Sequence, residues 1–501
     1  MYLIRKTLFK YLVILYIGTS YTYANDFNLP NLGTPSDSSL SPIKEKEIRD
    51  SIVNQIYQYD LVMLDPIVAD YMEQLGYRLA AQSENPQAPF DFFIVNDNTI
   101  NASTYPGGLI IFFSGLFLRT ETESELAGVM AHEIAHATQR HISRFYADNK
   151  KNTIPMLLGL AAAVVAAQAS NSGDAPLAIA ATTQALVQQA MINFTRANEY
   201  EADRVGIDNL KKADFNPLGM AGFFEKLMRE NPIDERYLLP EYLRTHPLSI
   251  NRVTEAKSRA GVNPDDVYTY TESEIYPLVK ERIRLLTKNV EMDNVNYYRK
   301  LFEKKSHAET TQAEKYGYAL ALHYSQENKE ALDILNTATP TDQTVLLFSV
   351  LRANIYSELD WNKSYTMFEK LYRYYPQSPV VIMAYIKMLS KSKEFKYRKK
   401  ARLLARDLVE LNPDKPNYYQ TLAITNQNLG KIIEANEALA IKEHKINNNY
   451  RAVRILKNVL KSELNYYQRA RIEAKITKYE NLITDKERSR EKQEDITNRR
   501  R

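Results

Sequence analysis

The chain of 501 residues contains no cysteine. This absence excludes disulfide bonds, thiolate metal ligands, cysteine nucleophiles and a lipid attached through an N-terminal cysteine. The charges nearly balance, because 65 basic and 61 acidic side chains leave a net charge of +4. So small an excess predicts no nucleic-acid partner. Histidine is scarce, with seven residues in the whole chain, so histidines that fall close together are informative.

Two of the seven histidines lie in one short segment, His132-Glu133-Ile134-Ala135-His136. Four residues of a helix advance about 400°, so His132 and His136 lie on one face and can bind one metal ion. Glu133 lies beside them, where it can take a proton from a water held by that metal. The segment is typical of a buried zinc-protease helix. Its significance depends on whether the chain supplies a third ligand.

A catalytic zinc keeps three protein ligands and one open position, so a third ligand is needed. We expect it to come from a second predicted helix. Glu199 and Asp203 lie four residues apart and therefore on one helical face. We assign Glu199 as the third ligand. We assign Asp203 as the catalytic-site carboxylate that accepts the far N–H of a ligand imidazole. Glu201 is expected to point away, and the alternative for the whole segment is a solvated acidic helix.

Three motifs together carry a resemblance to a known family: the His132–His136 segment, the E-Y-E-A-D-R segment from Glu199, and Thr245-His246-Pro247 followed by Arg252. They resemble the gluzincin metalloproteases of the HtpX and CAAX prenyl protease family. The resemblance covers residues 45 to 260 and extends beyond them only in architecture. It implies an α+β zincin-type protease domain with a small sheet and one Zn²⁺ per chain.

The same resemblance implies a special role for His246. It would be a resting-state latch, meaning a fourth zinc ligand that occupies the open position, with Arg252 anchoring its loop. Two alternatives remain open from the residues themselves. His246 could donate a hydrogen bond to the oxyanion of the reaction, or it could be a loop histidine without a function.

Two apolar segments, 90–95 and 109–113, predict strands just before the histidine motif. The segment between them is a turn-rich break. An exposed edge there could bind an extended peptide through main-chain hydrogen bonds. The resembling proteases use the corresponding segment in this way, and the alternative is a buried turn. The residues that we assign as the substrate edge are Asn101, Ala102, Ser103 and Thr104.

The N-terminus predicts export. Basic residues precede an apolar run over 11–17, and a small-residue site follows at 22–24. The run is too short to span about 30 Å of hydrocarbon, so we expect a secretory signal peptide. An uncleaved anchor is the alternative. An alanine-rich stretch at 154–192 predicts a helical hairpin that covers the active site or makes peripheral contact with the membrane, with burial against the protease core as the alternative.

Prolines recur after the protease segment, with Pro340, Pro376 and Pro413 spaced 36 and 37 residues apart. This period resembles that of tetratricopeptide repeats, which are about 34 residues long. Such repeats form an all-α solenoid with a concave, peptide-binding face. The predicted order is a signal peptide (1–24), a flexible lead-in (25–45), a zinc metalloprotease domain (46–262), a helical linker (263–311), tetratricopeptide-like repeats (312–483) and a disordered polar tail (484–501).

These features predict a periplasmic zinc-dependent endopeptidase in which a zinc-held water, activated by Glu133, attacks the peptide bond. The order of parts is most similar to that of periplasmic proteases of outer-membrane assembly. That similarity implies a chaperone-like role, in which the protein degrades outer-membrane proteins or assists their assembly. Unfolded or misassembled envelope proteins would be its substrates, and the assembly machinery would bind its repeats. The alternative is an assembly factor or chaperone that acts through its repeats, with a largely silent metal site.

Overall fold

The computed structural model of the protein describes residues 40–148, 196–230, 240–261, 270, 272–287, 294–305 and 309–483. The predicted signal peptide, the alanine-rich stretch 154–192 and the polar tail 484–501 lie outside these ranges. Among the helices within them, none combines the length and the apolar character that a membrane span requires.

Two helices open the described chain, α1 (Pro42–Gln58) and α2 (Pro66–Ala80). Each has a proline in its first turn and a side-chain cap, since Ser41 and Asp65 accept hydrogen bonds from backbone N–H groups of the first turn. Because α1 begins at Pro42, the prediction of a flexible lead-in is wrong for residues 42–45.

A three-stranded sheet follows, with β1 (Asp91–Val95), β2 (Ala102–Tyr105) and β3 (Leu109–Phe113) in the order β1-β3-β2. β1 runs parallel to β3 and β2 antiparallel to it. β2 is therefore an edge strand, although its residues had been predicted to form part of a turn-rich break. The turn is confined to the residues after it, where Gly107 and Gly108 adopt φ values of 76° and 74° that favour glycine.

Within the described residues, seven further helices lie in the part of the chain for which we predicted a protease domain. They are α3 (Ser114–Arg119), α4 (Glu123–Thr138), α5 (His141–Asp148), α6 (Arg196–Lys212), α7 (Leu218–Glu230), α8 (Glu241–Thr245) and α9 (Ile250–Ala260). The histidine motif lies on α4, whose first residue, Glu123, follows the cap residue Thr122. Close packing of α4 against α7 depends on Gly128, because a Cβ there would lie 2.7 Å from Met220 Cα. The motif helix is thus held at a fixed distance from its neighbour.

Two further helices, α10 (Ile275–Leu286) and α11 (Asn294–Lys304), occupy the range predicted to be a helical linker. They are packed into the core, since Tyr276 and Tyr298 are fully buried in the same apolar cluster as α2, α4 and α7. Arg282 on α10 pairs with the cap residue Asp65 at 2.6 Å. The described residues of this segment therefore share one apolar core with the predicted protease part of the chain and with the first helices that follow residue 311.

The remaining described residues form helical pairs. They are α12 (Gln312–Tyr324), α13 (Asn328–Asn336), α14 (Val345–Leu359), α15 (Trp361–Tyr374), α16 (Pro379–Ser390), α17 (Phe395–Leu411), α18 (Pro416–Gln427), α19 (Ile432–Lys445), α20 (Asn449–Val459) and α21 (Tyr466–Glu480). A small residue lies where paired helices touch. Ser364 is fully buried and donates a hydrogen bond to Ala353 O at 2.8 Å.

The helical tail folds back onto the start of the chain. Asn54 on α1 donates a hydrogen bond to Ile446 O at 3.1 Å, and Lys415 forms an ion pair with Glu73 on α2. A cavity of about 590 Å³ lies between the two halves, lined by residues of α1, α2 and β1 on one side and of the tail on the other. β1, which lines this cavity, is the edge of the sheet opposite β2, and its outer side pairs with residues 61–63 through the bridge between Val62 and Val95.

Candidate metal centre

The two histidines of the motif lie on one face of α4, as their spacing predicts. His132 and His136 are 0% and 1% exposed, and their Nε2 atoms are 3.0 Å apart. Two ring nitrogens this close together within the core need either a shared proton or a shared cation. The arrangement is the one expected of two ligands on successive helical turns.

Glu199 joins this pair from α6, the helix that packs alongside α4. Its carboxylate oxygens lie 3.4 Å from His136 Nε2 and 3.6 Å from His132 Nε2. The side chain is 1% exposed, so its charge is held away from water. The structure thus brings together the three residues that we had assigned as zinc ligands.

His246, at the C-terminal end of α8, completes the group. Its Nδ1 lies 3.3 Å from His132 Nε2 and 3.1 Å from Glu199 Oε2. Among the residues that the structure describes, His132, His136, Glu199 and His246 form the cluster that could hold a metal ion, with one donor atom from each within 4.8 Å of the others.

The geometry of this cluster fits a small tetrahedral cation. Donor atoms that lie about 2.0–2.1 Å from a tetrahedral zinc are roughly 3.3 Å from one another. Five separations among the ring nitrogens and the two oxygens of Glu199 are 3.0, 3.1, 3.3, 3.4 and 3.6 Å, and one donor atom from each of the four residues lies within 4.8 Å of the others. Nitrogen and carboxylate donors in this number are also the set that zinc prefers.

The electrostatics of the cluster favour a positive charge at its centre. Burial opposes protonation of His132, yet its contacts with Asp203 and Glu199 outweigh burial and raise its pKa to about 9. Burial also opposes ionisation of Glu199, but the neighbouring imidazoles hold its pKa well below the usual range. In the absence of a cation, the buried carboxylates therefore retain a proton on His132. A metal ion would supply that charge instead.

Glu133 lies next to the cluster and is tied to the edge strand. Thr104 Oγ1 on β2 lies 2.7 Å from the main-chain O of Glu133 and 2.8 Å from its Oε2, so the one hydroxyl hydrogen is shared between these two acceptors. Glu133 Oε1 accepts no hydrogen bond from the described residues and lies 3.4 Å from His246 Nε2. The carboxylate is 1% exposed. One oxygen is thus fixed by β2 while the other faces the donor cluster.

The four residues assigned as the substrate edge lie where that assignment requires an edge. Ala102, Ser103 and Thr104 belong to β2, and Asn101 immediately precedes it. Asn101 is buried, and its Oδ1 has no partner among the described residues. The segment is an extended strand and not the buried turn that was its alternative.

Asp203 lies on the side of His132 away from the cluster, where its Oδ1 is 3.0 Å from His132 Nδ1. Arg252 on α9 contacts the same carboxylate and also donates a hydrogen bond to Pro247 O at 2.9 Å. It therefore contacts the loop that follows His246, as the anchoring prediction requires. Burial opposes ionisation of Asp203, but Arg252 and His132 lower its pKa.

Two residues near the centre were missed from the sequence. His141 Nδ1 lies 2.8 Å from His136 Nδ1, and the His141 side chain is fully buried. Glu201 points away from the cluster, as predicted, but its carboxylate lies 3.1 Å from His141 Nε2. Burial lowers the pKa of His141 to about 4. The spacing of five between His136 and His141 gave no signal, because it does not return to the same helical face.

Comparisons with known proteins agree with this geometry. Residues 66–260 match peptidase family M48. The beta-barrel assembly-enhancing protease of Yersinia pestis is 34% identical over 340 residues, which are 67% of this chain and 67% of that protein. The protein of the same name from Escherichia coli O157:H7 is 39% identical over 233 residues, and there the match spans about half of each chain, 46% of this one and 47% of the relative.

Two other known proteins are similar to this chain at lower sequence identity. The mitochondrial metalloendopeptidase OMA1 of Arabidopsis thaliana is 28% identical over 193 residues, which cover 38% of this chain and 36% of that protein. The crystal structure of yeast Tom70 aligns with 71% of this chain and 88% of its own at 13% identity, with a TM-score of 0.29. So low a score does not assign the fold of the tail.

Proposed function

The chain belongs to peptidase family M48, and we propose on that basis that it is a zinc-dependent endopeptidase. The observation that carries the proposal is the buried cluster of four donor atoms with the Glu133 carboxylate beside it. His132, His136 and Glu199 would hold the metal in every state, and His246 would hold it only in a closed one. When bound, zinc supplies a Lewis acid that polarises a peptide carbonyl and makes a neighbouring water more acidic.

Glu133 is the proposed general base. The base must lie beside the metal site and have a free acceptor atom, and Glu133 Oε1 meets both conditions. It would take a proton from the attacking water and return it to the leaving amine. Thr104 holds the other oxygen at 2.8 Å, so the edge strand orients the base.

The outer side of β2 is the proposed binding site for the substrate main chain. Phe113 N–H donates a hydrogen bond to Asn101 O, which turns the main-chain groups of Asn101, Ser103 and Tyr105 toward β3. The N–H and C=O groups of Ala102 and Thr104 consequently point away from the sheet. They would pair with an extended peptide without selecting its side chains. Unfolded segments are therefore the proposed substrate class.

His246 is the proposed resting-state latch. Its Nδ1 occupies the fourth corner of the cluster, which would otherwise be open to water or to a substrate carbonyl. The helix that carries it is tied to the start of the edge strand, because Tyr242 N–H donates a hydrogen bond to Ile100 O at 3.1 Å. This contact lies on the outer side of the strand, where a substrate would bind. If the site opens, α8 would then move away from the donor cluster and from the outer side of β2 together.

The biological setting is part of the same proposal. The relatives are named beta-barrel assembly-enhancing proteases, and the N-terminal sequence predicts a signal peptide. We therefore propose a periplasmic protein that degrades unfolded or misassembled outer-membrane proteins or assists their assembly. The helical pairs of the tail, read as tetratricopeptide-like repeats, would bind the assembly machinery, and the stretch 154–192 would touch the membrane surface. An assembly factor with a silent metal site is the second candidate, favoured by the closed position of His246.

The test is to purify the full chain, measure its zinc content and assay cleavage of casein. Wild type and Glu133→Gln should each bind one zinc, and Glu133→Gln should lose cleavage in a His246→Ala background, where the site is open. Glu225→Gln removes an exposed carboxylate of α7 and serves as the matched control. If the zinc-loaded His246→Ala protein cleaves nothing, the silent-site alternative replaces the endopeptidase.

A further inference from the structure

A series of polar contacts leads from the buried ring of His136, on the side opposite the donor cluster, to the partly exposed pair of Glu201 and Arg144. His136 Nδ1 lies 2.8 Å from His141 Nδ1, and the two rings are nearly perpendicular, at 78°. His141 Nε2 lies 3.1 Å from Glu201 Oε2. The same oxygen of Glu201 accepts hydrogen bonds from both terminal nitrogens of Arg144 at 3.1 Å.

The backbone is shaped to make these contacts. α4 ends at Thr138, and Arg140 adopts a φ of 52°, a left-handed conformation uncommon for a residue with a side chain. That turn reverses the chain and brings His141, the first residue of α5, back against His136. Arg140 is held in place by an ion pair with Glu45 on α1 at 2.6 Å. The conformational cost of the turn is thus offset by contacts on both sides.

The donor and acceptor roles along this series of contacts follow from the Glu201 carboxylate at its end. The Glu201 carboxylate can only accept, so His141 Nε2 carries the hydrogen. The other nitrogen of a neutral imidazole is an acceptor, so His141 Nδ1 accepts from His136 Nδ1–H. His136 Nε2 is then left with its lone pair directed at the donor cluster, 3.0 Å from His132 Nε2. This is the tautomer that a metal ligand needs.

We propose that His141 is the positioning residue that fixes the tautomer and ring orientation of His136, with Glu201 as its terminal acceptor. This inference rests on the proposed function, because it concerns how the chain binds zinc. The two motif histidines are then held by different kinds of partner. His132 faces the Asp203 carboxylate directly, whereas a neutral imidazole separates His136 from its carboxylate.

This difference limits the negative charge around the metal. Glu201 is 26% exposed and paired with Arg144, so its charge is shared with solvent and a cation. A carboxylate in direct contact with His136 would be another buried anion beside Glu133, Glu199 and Asp203. An imidazole in that position orients the ligand without adding charge.

The test compares His141→Phe with His141→Gln by the rate at which zinc passes from the loaded protein to an excess of chelator. Phenylalanine fills the site but cannot accept a hydrogen bond, whereas a glutamine amide can accept from His136 and donate to Glu201. We expect His141→Phe to lose zinc about 10- to 100-fold faster than wild type, as loss of such partners typically costs. His141→Gln should stay within about threefold, which is below that range.

Three further measurements separate positioning from folding. The thermal midpoints of the zinc-free proteins show whether each variant folds. His323→Phe makes the same substitution at a half-buried histidine of the tail helix α12 and should leave zinc release unchanged. Glu201→Leu removes only the terminal acceptor, and Glu225→Leu on α7 is its matched control. If His141→Phe does not fold, the rate of zinc release from Glu201→Leu tests the proposal instead.

Equal zinc release from wild type and His141→Phe would overturn the proposal. So would equally fast release from His141→Phe and His141→Gln, because the side chain would then act by its packing. Unchanged release from Glu201→Leu would remove Glu201 from the assignment. A wild-type chain that binds no zinc would refute the proposed function itself, which is a different result.

Discussion

Arg252 donates two hydrogen bonds to the carboxylate of Asp203, one from Nε and one from Nη2, each at 2.8 Å. The residues are 2% and 4% exposed. Arg252 Nη1 lies 2.9 Å from Glu199 Oε2 as well, so one guanidinium contacts both carboxylates that α6 sends toward the metal centre. The arginine therefore sets the positions of a proposed ligand and of the acceptor behind another.

Replacing Arg252 by leucine should destabilise the protein strongly, because two carboxylates would remain buried without their cation. We expect a loss of about 3–5 kcal/mol in the free energy of unfolding, measured by urea denaturation of the zinc-free protein. Arg252→Lys keeps the charge but cannot reproduce the two-point contact, so its loss should be intermediate. Arg259→Leu, at an exposed ion pair on the same helix, is the control and should change stability by less than about 1 kcal/mol. Equal losses at both arginines would contradict the prediction.

Replacing His246 by alanine should raise the rate of casein cleavage. If the closed state holds roughly 90–99% of the molecules, its removal makes roughly 10- to 100-fold more of the protein competent. Three ligands remain, so zinc content should not change. A large fall in the rate would favour the oxyanion-donor role instead. His323→Ala controls for the loss of a histidine elsewhere.

Replacing Thr104 by valine should slow catalysis with little effect on substrate binding. The substitution keeps the shape of the strand residue but removes the hydroxyl that holds Glu133. A hydrogen bond to a charged group contributes about 1.5–3 kcal/mol, so kcat should fall about 10- to 100-fold while KM changes little. Thr254→Val makes the same substitution at an exposed residue of α9 and should leave kcat nearly unchanged. A change confined to KM would show that Thr104 acts through the substrate.

Stability of the zinc-free protein should fall as the pH drops below about 6.5. Burial lowers the pKa of His323 and of His444 in the folded tail, whereas in the unfolded chain both titrate at the ordinary value. Below that value the unfolded chain binds more protons, so acid favours unfolding, by at most about 1.4 kcal/mol per pH unit for each histidine. Urea midpoints measured from about pH 7.5 to 5.5 should fall less steeply in a His323→Gln, His444→Gln double variant. Parallel curves would show that neither histidine contributes.

The sequence was most informative where function depends on helical spacing. His132, His136 and Glu199 could be placed together because residues four apart share a face, and because one carboxylate helix followed the motif. The family match confirms the prediction of a metalloprotease. The small sheet is present as well, with β3 spanning the residues predicted for it.

What escaped prediction depends on the path of the chain between elements. His141 reaches His136 through the left-handed turn at Arg140, and no period in the sequence reports such a reversal. β2 was taken for a turn because it is four residues long and rich in small polar residues. Its strand character comes from pairing with the buried β3, which is a tertiary effect.

The contact between Asn54 and Ile446 joins residues 392 positions apart. At a synthesis rate of about 5–20 residues per second, Asn54 is made roughly 20 to 80 seconds before its partner. Throughout that interval the faces of α1 and β1 that the tail will cover are open to solvent and to other nascent chains. The charged side chains that line the cavity on this side, such as Lys46, Arg49 and Asp50, make the waiting surface less prone to aggregation. Because α1 is synthesised long before the tail, its surface must resist aggregation during that interval. Once the tail has folded against it, this property of α1 is no longer needed.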